Sequence, residues 1–182
     1  MMRTAGTVFS IVLLLVAAGC ARKANPVSPQ VDDFPADSKF AITLYSPTTT
    51  VSVGQSFDVR VVLYNVSQVS GVALRVTYPT SNVDVLQVSG ETSFFPQDSV
   101  ISLSNIERDS GTVDYGVSYK NPSLGTARSG SGLVCTLKCS AKAAGSAGFN
   151  IDQNTLQIVT PSGTLIDDFA VLLVQNLTIS IQ

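Results

Sequence analysis

Three sets of residues in this sequence carry side chains able to do chemistry. They are the cysteines at positions 20, 135 and 139, the adjacent carboxylates Asp32-Asp33 and Asp167-Asp168, and polar residues alternating with apolar ones along the middle of the chain. There is no histidine. Its absence removes the commonest general base, the usual Ser/His/Asp and Cys/His arrangements and the commonest metal ligand. The paired aspartates do not replace it. Neighbours on a strand point to opposite faces, whereas glycoside hydrolysis needs facing carboxyls about 5 to 9 Å apart. They read as solvated turn and tether charges, and no EF-hand loop pattern occurs. The expectation is a protein without catalysis, metal or cofactor.

Cys135 and Cys139 lie four residues apart in an alternating run, LVCTLKCS. If that run is a strand, about 3.3 Å per residue separates their Cα atoms by roughly 13 Å. A disulfide needs less than about 7 Å, so the two cannot bridge. The same spacing, with no histidine or further cysteine nearby, excludes a structural zinc site. They are expected to be small buried apolar side chains.

Cys20 sits in a different setting, MMRTAGTVFSIVLLLVAAGC. Arg3 gives a positive start, residues 8–16 an apolar run, and Ala17, Ala18 and Gly19 a small-residue approach. The apolar run is shorter than the roughly 20 residues that span a bilayer, so residues 1–19 read as an export signal. Small residues directly before a cysteine resemble the bacterial lipobox, which implies a mature chain beginning at a diacylglyceryl-modified Cys20. Acyl chains insert at about 0.8 kcal/mol per buried CH₂, enough for several of them to hold a protein on a membrane. Ala21, not Asp, follows the cysteine. In an organism with two membranes, resemblance to the sorting rule favours the outer one. The expected location is the cell envelope. Residues 20–38, with three prolines and three aspartates, read as an extended tether.

The elements that must position everything else start near residue 39. Charged residues make up 13% of the chain, low against roughly 25% for an average globular protein. Formal net charge is −2, and no basic field exists to attract nucleic acid. Within FDVRVVLYNVSQVSGVALRVTY, residues 57–78, Phe57, Val59, Val61 and Leu63 share one parity, and Val72, Leu74, Val76 and Tyr78 another. That two-residue period belongs to half-buried strands.

Further alternating runs follow the same rule. Phe40, Ile42 and Leu44 open the domain, and Val51 and Val53 lead to a turn at Gly54-Gln55. Across residues 81–88, Val83 and Val85 want one face while Leu86 and Val88 want the other, implying burial on both sides or a kink. Residues 89–99 read as a loop plugged by Phe94 and Phe95, and residues 100–106 as a strand before the turn Arg108-Asp109-Ser110-Gly111. Val113, Tyr115, Val117 and Tyr119 alternate until Asn121-Pro122. Residues 124–132 read as a flexible loop. Leu133, Cys135, Leu137 and Cys139 then face one side, with Val134, Thr136, Lys138 and Ser140 on the other. Residues 141–148 leave room for a helical turn. Phe149 and Ile151, then Leu156 and Ile158, form short strands before a turn at residues 160–163, and residues 169–181 form one long closing strand. Nine or ten strands at this spacing predict a single all-β sandwich over residues 39–182.

The order GQSFDVRVVLYNVSQVSGVALRVTYPTSNVDVLQV, GTVDYGVSY and GSGLVCTLKCSAKAAGSAGFNI resembles the cohesin family, with Gly54, Tyr78, Pro79, Gly111, Gly132, Leu133, Leu137, Gly145 and Gly148 matching its pattern. The resemblance implies a nine-stranded jelly-roll β-sandwich, a fold shared with carbohydrate-binding modules. It also implies a flat sheet face that docks a dockerin, a small calcium-loaded helical pair whose metal is its own. The chain departs from cellulosomal members in two places. It passes directly from Tyr78 to Pro79 without an intervening Asp, and it places Gly71 and Ala73 where they carry outward Asn and Asp.

Candidate partner-binding residues are Arg75 and Thr77 on one strand and Asp114 and Ser118 on another, all on outward parities, since arginine is enriched at interfaces. The partner expected first is a dockerin-like or other exported protein. A polysaccharide stacked on Tyr45, Tyr64, Tyr115 and Tyr119 is the alternative.

Overall fold

The computed structural model describes residues 40–90, 93–121, 127–166 and 172–182. Cys20, Asp32-Asp33, the leader, the tether and Asp167-Asp168 lie outside them, as do Pro122 and residues 124–126 and 169–171.

Alternating sequence becomes two facing sheets. One has the order β11 (Leu172–Gln175), β1 (Phe40–Tyr45), β3 (Ser56–Val69), β8 (Arg128–Ala141) and β5 (Val83–Ser89). The other runs β2 (Thr50–Val51), β12 (Leu177–Ile181), β9 (Gly145–Ile151), β4 (Gly71–Thr77), β7 (Thr112–Tyr119) and β6 (Val100–Glu107), with β10 (Gln157–Val159) beside β4. The architecture is the expected all-β sandwich. The strands exceed nine because β2 and β10 are short additions and the closing segment divides.

Between the sheets lies one continuous apolar core. Phe57, Val59, Val61 and Leu63 of β3 enter it from one side, and Val72, Leu74 and Val76 of β4 from the other, followed by Tyr78. The ring of Phe149 stands edge-on to Phe57, with centroids 6.2 Å apart, and stacks on Tyr78 at 6.3 Å. Phe94 and Phe95, 2% and 1% exposed, plug the core beside Tyr119 as expected.

Four local expectations change. The closing segment breaks at Asn176, whose Oδ1 accepts the Ile151 N–H; β11 joins one sheet and β12 the other, so its apolar residues serve two layers. The stretch expected as a flexible loop is already strand from Arg128, held by Ser129 and Ser131 hydroxyls that accept the N–H groups of Gln68 and Asn65. Both of those β3 residues have φ of 52°, the left-handed region, and mark bulges in the β3–β8 ladder. A further bulge opposite Val61 puts Val134 and Cys135 both toward the core and turns Leu133 to the far side, against Ala41, Val62 and Tyr64. This reverses the sequence assignment of Leu133 and Val134. Finally, residues 145–151 run as strand β9 with no helical turn before them.

The conflict at residues 81–88 resolves as a kink. A bulge between Val85 and Gln87 throws Leu86 outward to 49% exposure while Val88 packs against the core.

Cys135 and Cys139 are free and fully buried, and burial pushes both thiols well above the ordinary cysteine range. A thiolate is the reactive form, so neither should react with a thiol reagent at neutral pH in the native protein. Both should titrate at once in denaturant; rapid labelling of the native chain at position 135 or 139 would contradict this placement.

Candidate functional site

Every outward position on the central strands of the seven-stranded sheet follows from strand register. Directly opposed residues share a face. The ladders give four rows across β10 or β9, β4, β7 and β6: Val159–Gly71–Ser118–Ile101, Gln157–Ala73–Gly116–Leu103, then Arg75–Asp114–Asn105, and Asn150–Thr77–Thr112–Glu107. The first two rows are largely apolar or small, and the last two polar or charged.

The parities make Arg75, Thr77, Asp114 and Ser118 outward, and the pairing of β4 with β7 brings them together on one outer face. Arg75 and Asp114 form a two-pronged ion pair, Nε to Oδ1 at 2.7 Å and Nη2 to Oδ2 at 2.9 Å. Thr77 donates to the Asn150 carbonyl at 3.5 Å. Ser118 sits apart from that pair, beside Gly71, where its hydroxyl donates to the Ser70 carbonyl at 3.4 Å. The planar guanidinium meets the carboxylate in its preferred two-pronged fork geometry.

Ile101 and Leu103 were not singled out from sequence. They stand 57% and 75% exposed on β6, the largest exposures among the big apolar residues described. The signal was present but ambiguous: Val100 and Ile106 have the opposite parity, so the run VISLSNI does not declare which side is wet. Between Leu103, Ile101 and Val159 runs an open groove of about 420 Å³, floored by Ala73 and Gly116. A Cβ added at Gly116 would meet nothing closer than the Val72 carbonyl at 4.0 Å, so the glycine leaves space that packing does not require. Gly71 differs, because a Cβ there would press on Val159, the Val117 carbonyl and Ser118 at 3.0 to 3.2 Å.

The tyrosines form no platform. Tyr64, Tyr115 and Tyr119 are buried, and Tyr45 lies at the end of β1 in the other sheet. Among the described residues no cluster of three metal-ligating side chains occurs, and no helix is long and apolar enough to cross a membrane.

The Arg75 hydrogen bond holds the Asp114 carboxyl below the usual carboxylate range, and Asp114 in turn raises Arg75. A folded value below the unfolded one adds stability that is complete above the ordinary carboxylate pKa and is lost as pH falls through the depressed value. With both side chains more than a third exposed, water screens the pair and the stabilisation is small. Carboxyl-carbon NMR titration should find Asp114 below the ordinary aspartate range, and Arg75→Gln should return it upward. An unshifted Asp114 in the unaltered protein would show that the pair does not form in solution.

Residues 42–171 match the family description "Cohesin domain". A type II cohesin domain from the cellulosome of Acetivibrio cellulolyticus superposes with a TM-score of 0.69 at 14% identity, over 77% of this chain and 94% of that one. A type II cohesin of the same organism, solved in a cohesin–X–dockerin complex, gives 0.70 at 14% identity, over 79% and 99%. The non-cellulosomal cohesin of the archaeon Archaeoglobus fulgidus gives 0.61 at 17% identity, over 79% and 91%. None of the curated proteins matches the sequence. At these identities the structural likeness speaks for the fold, while the family match spans most of the chain and every row of the outer face from Gly71 to Val159. The chain belongs to the cohesin family.

Proposed function

We propose that this protein is a non-catalytic docking module. In this reading it is held at the cell envelope by lipid on Cys20 and captures a dockerin-type exported protein on the outer face of the seven-stranded sheet. The observation that carries the reading is the division of that face: an open apolar groove with Leu103 and Ile101 at its edge, beside a rigid Arg75–Asp114 fork. Solved relatives support the partner class, since several similar cohesins were solved with dockerins. Gly71 and Ala73, standing where cellulosomal relatives place polar residues, favour a partner that inserts an apolar side chain at this end of the face. Arg75, Thr77 and Asp114 would orient it from the polar side, and Ser118 from within the groove. Stacking on sugar rings has less support, because three of the four candidate tyrosines are buried.

The test is capture of partners from the organism's own exported proteins on immobilised residues 39–182, with and without a calcium chelator. A chelator-sensitive partner is expected. Filling the groove with Gly116→Val should leave the melting temperature within a few degrees and reduce capture at least tenfold, about 1.4 kcal/mol or more. Leu103→Lys should do the same. Retention on insoluble polysaccharide with no protein partner would sink the docking reading.

The anchor is tested separately. Cys20→Ser should move the protein from the membrane fraction to the soluble fraction, and mass spectrometry of the unaltered protein should find acyl chains on an N-terminal Cys20. A mature N-terminus upstream or downstream of Cys20, without lipid, would remove the tether.

A further inference from the structure

A β-sandwich must manage the edges of its sheets, because an unpaired strand offers a row of N–H and C=O groups to any other strand. Among the described strands, three of the four that end the two sheets are blunted. β2 has two residues and β11 four. β5 is longer but carries the bulge at Leu86, and Arg108, paired with Asp84, reaches across to donate to the Leu86 carbonyl at 3.4 Å.

β6 has none of these guards. It is eight residues long, pairs with β7 in continuous register, contains no proline or lysine, and has one charge, Glu107, at its end. Five consecutive residues, 101–105, are exposed on both faces of the strand. The Lys120 N–H donates to the Ser99 carbonyl at 2.9 Å, and the Tyr119 N–H turns the other way, to Ser70. Antiparallel alternation then aims the backbone groups of residues 101, 103, 105 and 107 at β7 and those of Val100, Ser102, Ser104 and Ile106 away from it, to the side where no described strand pairs.

We propose that β6 is a strand-addition edge through which two copies of this chain pair, antiparallel, into one continuous sheet. The occupant follows from the strand itself. With Ser102 on the two-fold axis, Ile101 of each copy lies opposite Leu103 of the other, in close-spaced pairs that gather the most exposed apolar side chains. Val100 and Ser104 exchange backbone hydrogen bonds across the same axis. Antiparallel pairing also sends the two Glu107 carboxylates to opposite ends of the ribbon, where parallel pairing would stack them. The axis is perpendicular to the sheet, so both outer faces point the same way and both grooves stay open. The inference does not depend on what those faces bind.

Residues 21–182 carry every described strand and suit the test. Sedimentation equilibrium from about 10 μM to about 1 mM should show a concentration-dependent dimer, weak because a single ladder buries less than the ~1,200 Å² of a standard interface. Ser104→Pro removes an edge-facing N–H, a place where a strand tolerates proline. It should weaken the dimer at least tenfold with an unchanged circular-dichroism spectrum, and Leu103→Lys should weaken it similarly if the proline variant does not fold. Mixing Ile101→Cys and Leu103→Cys chains under mild oxidation should cross-link the two variants with each other, whereas neither should cross-link alone. A monomer throughout the range, a dimer indifferent to both edge variants, or cross-linking of either cysteine variant by itself would overturn the proposal.

Discussion

The sandwich turns on one buried residue, Ser70. β3 and β4 are consecutive in the chain yet belong to different sheets, and only Ser70 separates them. A strand changing layers this tightly must take a peptide through the protein interior, where an unmet hydrogen-bonding group would cost about 1–3 kcal/mol. Every polar group of Ser70 is met. Its N–H and hydroxyl both donate to the Val159 carbonyl, and its own carbonyl accepts from the Tyr119 N–H. Gly71 follows because the chain passes too close to Val159 and β7 for a side chain. β10 and β7 are thus drawn to either side of β4 by the corner that starts it, and the outer face takes its register from there.

That face is organised by what it lacks as much as by what it holds. Gly116 and Ala73 lower the middle of the sheet while Leu103 and Val159 stand above it, so an apolar hollow forms without any loop to wall it. The Arg75–Asp114 fork marks where the hollow ends. Because the fork is solvated, it contributes little to holding the fold together.

Much of this was legible in the residues. Period-two apolarity identified the core residues of β3, β4 and β7, and parity marked Arg75, Thr77, Asp114 and Ser118 as outward, while the pairing of β4 with β7 that puts them on one face comes from the structure. The parity conflict at residues 81–88 announced the kink that expels Leu86. What could not be read has local causes: a bulge inserts one residue and exchanges the faces beyond it, so Leu133 traded places with Val134 with no compositional mark there. The division of the closing segment at Asn176 was hidden similarly, since β11 and β12 are both apolar and only their destinations differ. Ile101 and Leu103 escaped notice because an edge strand exposed on both faces has no obligatory alternation.

The way the first and last strands interlock has a consequence for how the domain comes to exist. β1 pairs in parallel with β11, and β2 with β12, while the N–H groups of Ser180 and Val53 reach Thr49 and Gln182 across the same seam. Neither seam is closed until residues 172–181 are present. A chain delivered N-terminus first therefore holds β1 on β3 early, while β2 waits for β12, and both seams close only once residues 172–181 have followed. Such non-local pairing is the kind that slows folding, and a chain ending at Leu172 would lose both seams together.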